Sequence, residues 1–258
     1  MALFATSIVV TISVMPAVAQ DKVWTGSVDS NFTTNGNWIG GIPGSADRAL
    51  YDVSSGGTSA NSSVNTSINI DWILLQGGYA GTVTNTAAGT INFTSLISIS
   101  SGQFQSSGTL TGTGALTVSG TTVTLGGTSN YSGETLVSGG GTLKANSTTG
   151  FSQNSHFIIN GGTLDLNGFN NAVGSIFDSA GGFGPSGLIT NSGAVQATLT
   201  VGSTNFLTTF NRVIQDGSGG LALTVTGNNY FLSLGAANTY SGGTTISAGT
   251  TLNASHAT

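Results

Sequence analysis

Apolar and polar residues alternate in short runs along most of this chain. Leu110-Thr111-Gly112-Thr113-Gly114-Ala115-Leu116-Thr117-Val118 is one such run, and Thr121-Thr122-Val123-Thr124-Leu125 is the next. Thr163-Leu164-Asp165-Leu166, Ala197-Thr198-Leu199-Thr200-Val201 and Leu221-Ala222-Leu223-Thr224-Val225 follow the same rule. A period of two puts the apolar side chains on one side of an extended strand and Thr, Ser, Asn or Asp on the other. Gly separates nearly all of these runs, at places where the chain must turn. No stretch combines a 3.6-residue period with helix caps. The pattern predicts an all-β protein made of many short strands.

The block Leu125–Ala145 recurs without a gap at Leu234–Ala254, an offset of 109 residues. Tyr131-Ser132-Gly133-Glu134-Thr135 in the first copy answers to Tyr240-Ser241-Gly242-Gly243-Thr244 in the second. An immunoglobulin-like sandwich can be built from seven to nine such strands but leaves this repetition unexplained. A parallel β-helix explains it, because each coil buries its inward residues only by stacking on its neighbours. With coils of roughly 20 residues or more, the chain forms on the order of ten. At about 4.8 Å per strand, that is a rod roughly 45–50 Å long. Asn130, Asn146, Asn160 and Asn238 are candidates for side-chain ladders in the stacked turns.

Residues 23 to 53 differ from the rest. They hold Trp24, Trp38, Pro43 and a cluster of Gly, Asn and Asp. An open solenoid end exposes core and unpaired strand edges, so Trp24 and Trp38 are read as plugs for the first coil, with sugar stacking the less favoured alternative. The division expected is a signal peptide over 1–19, an N-terminal capping module over 20–60 and β-helix repeats over 61–258. The first segment is apolar and ends in Ala17-Val18-Ala19, an A-x-A cleavage pattern, although no Lys or Arg precedes its apolar core. The mature chain is thus expected outside the cytoplasm.

Composition narrows the partners. Charged residues make up 5%, Lys plus Arg total 4 and the net charge is −5. Four cations cannot neutralise a nucleic-acid backbone, and nucleic acid is excluded as a partner. The chain contains 0 Cys, so stability must come from hydrogen bonds and burial.

Asn238-Thr239-Tyr240-Ser241-Gly242-Gly243-Thr244-Thr245-Ile246, followed by Gly249-Thr250-Thr251-Leu252, resembles the passenger-associated transport repeat, also called the autotransporter-associated β-strand repeat. Asn130-Tyr131-Ser132-Gly133-Glu134-Thr135-Leu136-Val137 is similar, with Glu134 where Gly is usual. Gly161–Asn170 resembles the segment that precedes the repeat, and Val213–Leu223 the one that leads into it. The resemblance covers about 125–258, and the Trp24…Asn37-Trp38 segment is similar to one found ahead of such repeats. It implies a right-handed parallel β-helix passenger at the cell surface or secreted, exported by an outer-membrane translocator barrel. No alternating barrel strands with aromatic girdles follow Leu252, so the barrel is expected to be missing from this chain, and either the chain is a fragment or the gene ends early. Host or surface glycans are the second expected partner, through adhesion.

The chemistry-bearing residues are few. Asp165 and Asp178 are the pair that a β-helix polysaccharide-degrading enzyme, the alternative reading, would use. A lyase would also need a base, and Lys22, Arg48, Lys144 and Arg212 are scattered. Asp216-Gly217-Ser218-Gly219-Gly220 inverts the first two residues of a serine-protease nucleophile motif, and His156 and His256 are the whole His supply. A type I turn at Asp216-Gly217 is the favoured reading there. Gly181-Gly182-Phe183-Gly184-Pro185-Ser186 lacks the Asp of a Ca²⁺-binding nonapeptide. No catalytic, cofactor-binding or metal-binding residue is assigned, and no cofactor is expected. The function expected is a non-catalytic stalk that couples its own folding to export.

Overall fold

Val83, Phe104, Val123, Leu143, Leu164, Ile189 and Ile214 stand in one line, each beside the next on parallel strands. All seven are buried. The residues between them, Thr84, Gln105, Thr124 and Lys144, point outward. This is the alternation of the sequence turned into geometry: one row of apolar side chains per sheet, shared between successive turns. The computed structural model describes residues 19–178, 187–204 and 206–255. The signal-peptide expectation therefore lies, but for Ala19, outside the described residues, as do Gly181–Ser186 and His256.

The chain is a parallel β-solenoid of about 9 turns. Three columns of strands form its faces. The first runs through Arg48–Asp52, Ala115–Ser119, Thr135–Ser138, His156–Asn160 and Ser175–Phe177. The second holds Val83 through Ile214 as above. On the third, Ile68, Ile91, Leu110 and Ser129 stand in line, and Asn171–Val173, Ala197–Thr204, Leu221–Asn228 and Thr244–Ile246 continue it. Parallel pairing in every column rules out the sandwich, which is antiparallel. Turns differ in length. Hydrogen bonds between adjacent turns span 19 residues from Thr121 to Gly102 but 28 from Thr198 to Asn170.

Between the second and third faces the backbone turns so tightly that only Gly fits. A Cβ on Gly127 would lie 1.8 Å from the Gly108 carbonyl oxygen, and one on Gly108 would lie 2.2 Å from that of Gly89. Three successive turns thus lean carbonyl against Cα at one corner.

The N-terminal end is closed. Asp21–Trp24 pairs in parallel with Arg48–Asp52 and antiparallel with Trp38–Ile39. The Trp24 and Trp38 rings meet edge to face at 4.9 Å, and Phe32 meets Trp38 at the same distance. The Trp24 indole N–H donates to the Ala60 carbonyl at 2.9 Å and that of Trp38 to Phe32 at 2.7 Å. Both indoles are buried with their polar atoms satisfied. Neither leaves a ring face for a sugar.

The repeated block keeps its local contact and loses its position. Tyr131 Oη lies 2.7 Å from Thr135 Oγ1, and Tyr240 Oη lies 2.7 Å from Thr244 Oγ1. Yet Thr135–Ser138 belongs to the first face, whereas Thr244–Ile246 pairs with Leu221–Asn228 on the third. Likewise Thr142–Ala145 lies on the second face, and Thr250–Ala254 pairs with Tyr230–Leu234 in the column beside Ser175–Phe177. The second copy is displaced by one face, because the turns between the copies vary in length.

Candidate functional site

All four cations are engaged in structural contacts. Lys22 Nζ donates to the Gly40 carbonyl at 2.7 Å. Arg48 Nε lies 2.6 Å from Asp21, Lys144 Nζ 3.5 Å from Asp165 and Arg212 Nε 3.2 Å from Asp178. The last pair is the most buried, with side chains 12% and 3% exposed. It is a charge contact without the alignment of a hydrogen bond. Sequence reasoning missed it. Asp178 and Arg212 come from adjacent turns, and nothing in their local sequence marks them as partners.

Asp165 and Asp178 do not form a shared site. Asp165 accepts from the Asn167 and Ser192 amides, both at 2.9 Å, and from the Ser192 hydroxyl at 2.6 Å. Asp178 accepts from the Asn211 amide and side chain, both at 3.2 Å. They stand on different faces, each committed to joining its own turn to the next. Asp52 is held below the usual carboxylate range chiefly by the Ser54 side chain, against the opposing pull of burial. Asp29 is lowered first by the Asn31 amide and then by the Asn37 side chain. These carboxylates act as turn clasps.

Asp216 and Ser218 make no nucleophile loop. Asp216 Oδ1 accepts from the Leu221 amide at 2.6 Å and the Ser241 amide at 3.1 Å, tying two turns together. Ser241 and then the Leu221 amide hold its carboxyl below the usual range. The backbone bends at Ser218 and Gly219, in place of the expected type I turn at Asp216-Gly217. His156 Nδ1 lies 2.7 Å from Ser175 Oγ, and its ring stacks on Phe206 at 4.4 Å. Ser175 precedes Ile176 on the adjoining strand, so this contact joins two turns and builds no triad. Among the described residues no group of three His, Asp or Glu is placed to hold a metal ion, and no helix is long and apolar enough to cross a membrane.

The four Asn proposed for ladders are not bonded to one another in the described hydrogen bonds. Asn238 Oδ1 accepts from the Ile214 amide at 2.8 Å, and Asn160 keeps a buried Oδ1 without a partner. Ladder contacts form elsewhere, from Asn92 to Asn69 at 2.8 Å and from Asn65 to Asn31 at 3.0 Å. Only residues at equal phase in adjacent turns can stack, and uneven turn lengths decide which those are.

Two outer surfaces have binding character. On the second face Thr84, Gln105, Thr124 and Lys144 form a polar row, with Thr122, Thr142 and Thr163 beside it. On the first face a cleft of about 320 Å³ is lined by Phe177, Phe206, Leu207 and Thr208, with Asp178 and Asn211 at its polar side. Comparison of the chain with protein-family models, curated proteins and solved structures found no match.

Proposed function

We propose that this chain is a non-catalytic structural rod of the autotransporter-passenger kind, working outside the cell as a spacer whose folding assists its own export. The observation that carries this reading is the unbroken sharing of core residues between turns. A turn gains its burial only when the preceding turn is in place, so folding proceeds along an axis and releases free energy turn by turn. Such stepwise release suits export where no nucleotide supply exists. On this reading the partner during export is an outer-membrane barrel. The engagement of Lys22, Arg48, Lys144 and Arg212 in structural contacts favours a structural role over the polysaccharide-degrading alternative.

The test is display. The chain is fused ahead of an outer-membrane barrel, with an epitope near Gln20. Val137→Pro removes a ladder donor from an interior strand. Surface epitope is expected to fall severalfold while an exposed control, Ser132→Ala, leaves it unchanged. Full display of the Pro variant would overturn the reading.

Adhesion is a second role, favoured by the outward row of Thr and Gln on the second face, which offers paired donors and acceptors to sugar hydroxyls. A glycan array probed with residues 20–258 and with a Gln105→Ala, Thr124→Ala variant tests it. Binding lost in the variant supports adhesion, and no binding by either leaves the spacer role alone.

A further inference from the structure

The strand column of the third face is interrupted in mid-rod. Thr109–Gly112 is followed there by the single Leu110–Ser129 bridge, and the column resumes as strand at Asn171–Val173. Ser147-Thr148-Thr149-Gly150 crosses the interval as a turn. Its hydroxyls account for this. Ser147 and Thr149 both donate to the Gly127 carbonyl, at 3.1 and 3.0 Å, and the Thr149 amide donates to Ser147 Oγ at 3.3 Å. Bonds of this kind between side chain and backbone compete with strand pairing. They draw the chain toward the Gly127 corner and leave a recess of about 190 Å³ walled by three successive turns.

Buried polar groups fix those walls. Asn171 is 3% exposed; its Oδ1 accepts from the Phe151 amide at 2.9 Å and its Nδ2 donates to the Ser147 carbonyl at 2.9 Å. Ser152 Oγ donates to the Tyr131 carbonyl at 2.6 Å, and Asn154 Nδ2 to the Asn130 carbonyl at 3.2 Å. The recess is thus preformed, and a ligand need not order it. At about 30 Å³ per water it holds about six waters, the space of one sugar ring.

The lining selects the ligand. Phe151 is buried and Ala172 half-buried, and the exposed side chains of Thr128, Asn130, Thr148 and Gln153 stand around them. These four make no side-chain hydrogen bond among the described residues. Each hydroxyl or amide can both donate and accept. No Asp, Glu, Lys, Arg or His lines the recess, so it offers a charged ligand no partner. An added peptide strand would need free backbone edges, but the Ser129 and Asn130 amides already donate to the Thr149 and Leu110 carbonyls. From the recess an outward polar row runs along the rod. The Leu110–Ser129 bridge sets Asn130 beside Thr111, which stands beside Asn92, which stands beside Asn69. Asn92 Nδ2 donates to Asn69 Oδ1 at 2.8 Å, which orients both amides.

We infer that the third face binds a neutral saccharide chain. One sugar unit sits in the recess, its C–H face toward Phe151 and Ala172 and its hydroxyls toward Asn130 and Gln153, and further units follow the Asn130–Thr111–Asn92–Asn69 row. This site lies on a different face from Gln105 and Thr124. The inference therefore goes beyond the adhesion role proposed above and does not rest on it.

The test is affinity electrophoresis of the full chain in native gels holding a neutral glucan, mannan or galactan. At least one of the three is expected to retard the unmodified chain, and a sulfated glucan to retard it no more than the neutral one. Gln153→Ala is expected to weaken binding severalfold, and Ala172→Leu, which fills the recess, to abolish it, each with unchanged circular dichroism. Should Ala172→Leu alter the spectrum, the exposed Gln153→Ala decides alone. The Gln105→Ala, Thr124→Ala variant is expected to bind as the unmodified chain does. No retardation by any neutral polymer, full binding by Gln153→Ala, or binding lost only in the Gln105→Ala, Thr124→Ala variant would overturn the inference. The last result would place the sugar on the second face instead.

Discussion

Thr135 sits in an apolar row between Leu116 and Phe157, and its hydroxyl lies 2.7 Å from that of Tyr131. Both residues are fully buried. The pair shows how this core tolerates polar atoms: the Thr135 hydroxyl also meets Ser155 Oγ, which in turn donates to the Gly133 carbonyl at 2.7 Å. Tyr131→Phe removes one member of a satisfied buried chain and is expected to destabilise by about 1 kcal/mol. Tyr240→Phe breaks the same contact at an open site and is expected to stay within about 0.5 kcal/mol. Urea unfolding of both variants checks the difference, and equal losses would contradict it.

The Gly127 corner gives a steric prediction. The methyl of Gly127→Ala would meet the Gly108 carbonyl at 1.8 Å, and backbone cannot swing aside as a long side chain can. Overpacking of a closed site costs about 1–3 kcal/mol. Ser132→Ala, on the exposed surface, is expected to change stability by less than about 0.5 kcal/mol. Thermal unfolding monitored by circular dichroism separates the two.

Arg212 and Asp178 form the most buried charge pair described. Arg212→Met leaves a carboxylate uncompensated and is expected to cost about 3–5 kcal/mol. Asp178 also serves the Asn211 amide and side chain, so its removal disturbs a second contact. The double variant Arg212→Met, Asp178→Leu is expected to recover much of the single loss, since an apolar pair carries no desolvation penalty. A double-mutant cycle measures this, and simple additivity would refute it.

Alkali is expected to weaken the protein through its buried phenols. Burial raises Tyr51, Tyr79, Tyr131 and Tyr230 above their ordinary value. The unfolded chain releases these protons near pH 10 while the folded chain retains them. Their contribution is complete below about pH 10 and is lost as pH rises through the folded values. On the acid side Asp29, Asp52 and Asp216 are lowered, so their contribution is present above about pH 4 and is lost as pH falls. Urea midpoints measured across pH 2–12 should form a plateau with two flanks. Tyr51→Phe should make the alkaline flank shallower.

Strand existence and facing were readable from residue order, because a period of two is a local property. Val83, Phe104, Val123 and Leu143 each alternate with Thr, Gln or Lys, and each points inward. The phase between distant turns was not readable. It accumulates the length of every intervening turn, and no residue of the repeat encodes that sum. Hence Tyr131 and Tyr240 share a partner but not a face, and the Asn ladders form at Asn69 and Asn92 instead of the four positions first considered. The Arg212–Asp178 pair was hidden for the same reason. The N-terminal aromatics were legible as burial-seeking residues, but the antiparallel strand that holds Trp38 against Trp24 was not.

The antiparallel Trp38–Ile39 strand gives the Trp24–Trp38 end a mechanical consequence. A pull applied at Gln20 would load the Trp24 strand pairing and the indole bond to the Ala60 carbonyl together. Both would have to slip before Arg48–Asp52 could peel from its neighbour, so the aromatic latch sets the force at which that end yields.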